Sequence, residues 1–185
     1  MQAYLLFSIS LYLAVGSLTI IKEKTFGVEK FSYDAFEERV HLRLLLDQDN
    51  HTTYRDTLLL YKEGIAYQIF RHNQTCEKVH FKDPWKPMEI PRDAKFQSQV
   101  IIGSLSAPAE GLLVNNWSGT IAEPHDDYLL TFTEFGCLPV HAWCLSFFDM
   151  VLGVEDPEVF NPPSFCDKAE PGNDAALTSF FDALI

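Results

Sequence analysis

Positive charge is nearly absent from the second part of this chain. Residues 101–185 carry 13 Asp and Glu side chains against one basic residue, Lys168, whereas residues 1–100 balance 13 against 13. The formal net charge of -12 over 185 residues therefore comes wholly from the second part. Phosphate backbones are gripped by clustered Lys and Arg, so nucleic acid is a poor partner, and calcium or a basic surface is a better one. Catalytic signatures are missing as well. There is no phosphate loop, dinucleotide fingerprint, HExxH run or G-x-S-x-G elbow. The six histidines are scattered, and the cysteines at 76, 137, 144 and 166 have no zinc-site spacing. Asp47-Gln48-Asp49-Asn50 opens like an EF-hand loop, but Thr52 stands where Gly is required and Leu58 where a bidentate Glu is required.

What is present points to the secretory pathway. Residues 1–21 contain no charged side chain, and Ala14-Val15-Gly16 offers the small residues that a signal peptidase reads. The expected organisation is a signal peptide over 1–16 and one domain over 17–185. Three sequons follow, at Asn50, Asn73 and Asn116, and the second abuts Cys76. An acceptor site beside a cysteine joins two marks of an oxidising compartment. Four cysteines allow three fully paired connectivities.

The hydrophobic pattern is that of short strands. Arg39–Leu44 alternates polar and apolar, and Thr57–Tyr61 and Ile65–Arg71 flank Lys62-Glu63-Gly64 at hairpin length. Lys78–Phe81, Val100–Ile102, Gly111–Trp117 and Tyr128–Phe135 read as further strands. Pro91–Phe96 predicts one helical turn, Asp156-Pro157 a capped helix start, and Ala175–Ile185 a docking helix with Leu177, Phe180, Phe181 and Leu184 on one face. Regular strand spacing predicts antiparallel sheets, either a sandwich or a partly closed barrel. Two acidic loops, Glu123/Asp126/Asp127 and Glu155/Asp156/Glu158, supply hard oxygen ligands suited to calcium.

Several longer strings resemble the ependymin family, most nearly the ependymin-related proteins. They include Leu58-Leu59-Leu60-Tyr61-Lys62-Glu63-Gly64, Asn73-Gln74-Thr75-Cys76 and Glu89-Ile90-Pro91-Arg92-Asp93-Ala94. Gly111–Trp117, the eleven-residue run Leu130–Val140 and Phe160-Asn161-Pro162-Pro163-Ser164-Phe165-Cys166 continue in register. The resemblance implies a mainly β fold of two stacked antiparallel sheets, a sandwich or half-open barrel like that of bacterial lipoprotein carriers, with short helices and an apolar pocket. It implies no established enzyme activity but a secreted or lysosomal glycoprotein that binds calcium and an apolar or lipid-like ligand, takes part in cell-matrix adhesion and forms a homodimer. Candidate pocket residues are Leu58, Leu60, Val100, Ile102, Leu113, Leu130 and Phe132. An adhesion glycoprotein without a ligand cavity is one alternative. A lysosomal or extracellular hydrolase using Cys144, a His and a carboxylate is another.

The resemblance also implies a Cys76–Cys166 disulfide. The family pattern pairs the cysteine of the Phe-Gly-Cys run with one near the mature N-terminus, and no cysteine precedes Cys76 here. Cys137 and Cys144 are left either to pair with each other or to stay free.

Overall fold

The computed structural model describes residues 13–22, 25–48, 51–121, 126–142, 145–154 and 156–172. The chain divides into two compact units. The first, within residues 87–143, contains β7 (Lys95–Gly103), β8 (Gly111–Ile121), β9 (Asp126–Thr133) and β10 (Pro139–Ala142), in the order β10-β9-β8-β7. The second contains β1 (Leu13–Lys22), β2 (Thr25–Asp34), β3 (Arg39–Gln48), β4 (His51–Leu60), β5 (Ile65–Phe70), β6 (Thr75–His80), β11 (Leu145–Leu152) and β12 (Glu170–Pro171). Its order is β12-β6-β5-β4-β3-β2-β1-β11. The expected fold class holds: the protein is mainly β in antiparallel sheets, with short 3₁₀ turns at Pro157–Phe160 and Ser164–Lys168. The one parallel pairing among the described strands is β12 on β6.

Four hairpins share one design. The turns over residues 35–38, 61–64, 71–74 and 134–137 all end in a left-handed residue: Glu38, Gly64, Gln74 and Cys137, with φ of 52°, 64°, 55° and 48°. A turn that closes on a left-handed residue matches the right-handed twist of the flanking strands. Only one of the four residues is glycine, although the 134–137 turn also carries Gly136 at φ 79°, so the turns over 35–38 and 71–74 had no glycine to announce them.

In the larger sheet, residues paired across strands share a face. One face carries Phe31, Tyr33, Val40, Leu42, Leu59, Ala66 and Val79, all buried. Its aromatic residues pack on one another: Tyr33 stacks on Trp85 at 5.3 Å, and Trp85 and Phe81 both meet Tyr61 edge-on. The opposite face carries Leu58, Leu60, Ile69 and Cys76, which pack with Phe160 and Cys166 of the segment 154–169. That segment is a strap, held by the Cys76–Cys166 disulfide.

Two helix expectations need correction. The turn expected over Pro91–Phe96 is shorter than one of helix: Ala94 N–H donates to Pro91 O at 3.0 Å to close a single turn, and β7 begins at Lys95. Asp156 does cap a helix, accepting from the Glu158 amide, but the helix is a single 3₁₀ turn, because Asn161 returns the backbone to an extended conformation and two prolines follow it. Leu13–Gly16, expected in a signal peptide, lie in β1 and pair with Asp34–Phe31 of β2. Residues 173–185, where the docking helix was expected, lie outside the described residues.

Candidate functional site

The strap side of the larger sheet carries a buried ionic network that the sequence reading missed. His41 on β3 and Asp56 on β4 occupy the same face, beside Leu58. His41 Nε2 lies 2.6 Å from Asp56 Oδ1, and Arg71 Nε donates to Oδ2 at 2.6 Å. The Asp56 side chain is wholly buried and that of His41 nearly so. Burial alone would raise the Asp56 pKa, but the hydrogen bond and charge of His41, followed by those of Arg71, outweigh it and hold the carboxyl below its ordinary 3.8. A carboxylate only accepts, so His41 Nε2 carries the proton. Its Nδ1 is buried without a partner among the described residues.

The arrangement resembles part of a catalytic triad, with Ser32 directly across the β2–β3 register from His41. Among the described residues no hydroxyl is hydrogen-bonded to His41 Nδ1, and Ser32, His41 and Asp56 are all buried. The network suits an electrostatic tie between β3, β4 and the end of β5 better than a reaction centre. Beside it, Arg39 pairs with Asp34 at 2.9 Å and lays its guanidinium over the Phe160 ring at 4.6 Å, fastening the strap.

The other face contains one discordant residue. Glu29 on β2 has Leu44 of β3 as its cross-strand neighbour, and it is buried. Burial pushes its carboxyl from an ordinary 4.5 up to about 7. The apolar spacing of Phe26, Val28, Phe31 and Tyr33 hid it, since Glu29-Lys30 reads as a solvated pair until register assigns the two residues to opposite faces.

The expected pocket residues are divided between the two units. Leu58 and Leu60 belong to the core beneath the strap. In the smaller sheet, Leu113, Leu130 and Phe132 share one face, while Val100 and Ile102 lie on the other and are partly exposed. Among the expected calcium ligands, Asp127 accepts from Thr120 Oγ1 at 2.8 Å and shares a cleft of about 520 Å³ with Asp93, Lys95 and Ser118. Asp126 begins β9, and Asp156 is occupied as a helix cap. Glu123 and Glu155 lie outside the described residues. Among those described, no three His, Cys, Asp or Glu converge on a common metal position.

Asn73 is exposed at the tip of the β5–β6 hairpin, and Thr75 Oγ1 donates to its Oδ1 at 2.8 Å. Asn116 is half-buried in mid-strand, donating to Ser98 Oγ and accepting from Thr131 Oγ1. Asn50 lies outside the described residues. Cys137 is a free thiol whose pKa is raised by burial and by Glu134, which disfavours the reactive thiolate. Cys144 lies outside the described residues.

A profile of the family described as Ependymin matches residues 49–166. The chain is 34% identical over 161 residues to "Ependymin-2" of Carassius auratus, covering 83% of this chain and 75% of that protein. The chain belongs to the ependymin family. It is also 32% identical over 154 residues to "Mammalian ependymin-related protein 1" of Rattus norvegicus, covering 76% of this chain and 66% of that one. Against "Ependymin-1" of Oncorhynchus mykiss it is 28% identical over 204 residues, covering 92% and 91%. Membership in this generally non-enzymatic family suggests a secreted adhesion glycoprotein. The matched region ends on Cys166 and so includes both halves of the strap disulfide. Among the described residues, no helix is long and apolar enough to cross a membrane.

Proposed function

We propose that this ependymin-family protein is an extracellular or lysosomal glycoprotein that holds an apolar or lipid-like ligand, binds calcium and contributes to cell-matrix adhesion as a homodimer. The observation that carries the compartment is the pairing of an exposed acceptor, Asn73, with the Cys76–Cys166 disulfide three residues away. The acidic second part and the Asp93/Asp127 cleft support a cation partner. The face formed by Leu113, Leu130 and Phe132 supports an apolar ligand.

A homodimer is supported by β7, an edge strand with Phe96, Val100, Ile101 and Ile102 all partly exposed. An unpaired, apolar edge invites a further strand. Antiparallel self-pairing would oppose no like charges, since Lys95 is the only charged residue in the strand.

Native mass spectrometry of the protein purified from secreting cells tests the reading in one measurement. It should give a dimer, glycan mass, bound calcium and a co-purifying lipid. A bare, unglycosylated monomer would defeat it. One observation favours the alternative of adhesion without a ligand cavity: Phe160 and Cys166 fill the space over Leu58 and Leu60. Under that alternative, glycan, calcium and dimer would appear without lipid.

A further inference from the structure

A cavity of about 720 Å³ opens where the tip of the β5–β6 hairpin faces the strap. Phe70, Thr75 and Glu77 line it from the hairpin, and Phe165, Asp167 and Glu170 from the strap and β12. Its size falls in the range of small-ligand sites, roughly 300–1,000 Å³. Three carboxylates against Lys168 make it unsuitable for an anion. Two half-buried aromatic residues among carboxylates and hydroxyls match an uncharged sugar, whose C–H faces pack on aromatic rings and whose hydroxyl and acetamido groups donate to carboxylates.

The source of that sugar is at the rim. Thr75 lines the cavity and its hydroxyl is bonded to Asn73 Oδ1, so the Asn73 amide sits one hydrogen bond from the wall. Gln74, also in the lining, takes φ 55°, which turns the chain back at that point. Asn73 Nδ2, the atom that would carry a glycan, has no partner among the described residues.

We propose that this cavity is the bed for the inner, uncharged N-acetylhexosamine residues of a glycan on Asn73, which thereby clamps the strap over the Cys76–Cys166 disulfide. The inference rests on the reading of the protein as a glycoprotein modified at Asn73. The clamp is intramolecular: hairpin and strap already share the disulfide and the β6–β12 pairing, and the sugar closes the open side.

Hydrogen exchange tests it on the full-length secreted glycoprotein. Three forms are compared: the intact glycoprotein, the form trimmed by an endoglycosidase to one N-acetylhexosamine, and Asn73→Gln, which carries no sugar there. Amides over residues 164–172 should exchange about tenfold faster in Asn73→Gln than in the intact form, with the trimmed form between them. Amides of β3, remote from the cavity, should not change. A double variant, Asp167→Ala with Glu170→Ala, keeps the glycan but should lose most of the sugar-dependent protection. Equal exchange over 164–172 in all three forms would overturn the clamp while leaving the glycoprotein reading intact. Peptide mass showing Asn73 unmodified would overturn both.

Discussion

Glu29 makes stability depend on pH in a way that can be worked out in advance. Its carboxyl has a pKa of about 7 in the folded protein and an ordinary value of 4.5 when the chain is unfolded, because burial on an apolar sheet face penalises the anion. The folded state therefore binds the proton more tightly than the unfolded state. Below pH 4.5 both states are protonated and nothing is lost. Between 4.5 and 7 the unfolded chain ionises first, and stability falls as pH rises. Above 7 both are ionised and the loss levels off. The gap between the two values corresponds to about 3 kcal/mol, a large fraction of the ~5–15 kcal/mol that stabilises an ordinary domain.

Glu29→Gln keeps the shape and removes the titration. Urea unfolding of wild type and variant, disulfide intact, at pH 4.5, 6, 7 and 8 isolates the effect, since other titrating groups cancel in the difference. The variant should match the wild type within about 1 kcal/mol at pH 4.5 and exceed it by about 3 kcal/mol at pH 8. The Asp56 contribution does not interfere, because its depressed pKa puts that loss below 3.8. A difference that stays flat from pH 4.5 to 8 would refute the reasoning and would mean that Glu29 is solvated or paired in solution.

Further outcomes can be checked by the same unfolding assay. Asp56→Ala leaves His41 and Arg71 without their shared acceptor and should cost about 3 kcal/mol at pH 7, with the deficit shrinking only as pH falls below 3.8 and the wild type loses the same contribution. Replacing both Cys76 and Cys166 with Ser releases a loop whose ends are 90 residues apart, for an expected loss of about 4 kcal/mol and early proteolysis of the strap. Gly119→Ala drives a methyl group into the buried Tyr128 ring, so about 2 kcal/mol should be lost although the change is small. Leu58→Ala should cost about 3 kcal/mol as a core residue; unchanged stability with altered lipid content would return it to a pocket lining.

Alternation in Arg39–Leu44 and the Lys62-Glu63-Gly64 turn were enough to place β3, β4 and β5, because a half-buried strand and a glycine turn leave local marks. β2 was not legible. Thr25–Asp34 is buried on both faces near its end, so Phe31, Ser32, Tyr33 and Asp34 carry no alternation, and the turn that follows closes on Glu38 rather than glycine. The expected leader, residues 1–16, overlaps β1 at Leu13–Gly16, because an uncharged apolar run looks the same whether it enters a translocon or the middle of a sheet. The pocket list included Leu58 and Leu60, which pack with Phe160, for a related reason: apolar strand positions do not reveal whether a ligand or the chain's own side chains will cover them.

Composition and local strings thus determined the acidic second part, the sequons, the mainly β class and, through its longest matching runs, the ependymin family. Each of these depends only on residues close together in the chain. Tertiary structure alone decided that His41 and Asp56, 15 residues apart, share one buried contact, that Glu29 faces an apolar layer while Lys30 does not, and that Asn73 stands at the rim of a cavity completed by residues from the strap. These depend on strand register, where a shift of one residue exchanges every inward side chain for an outward one, and on which segments distant in the chain come to pack together.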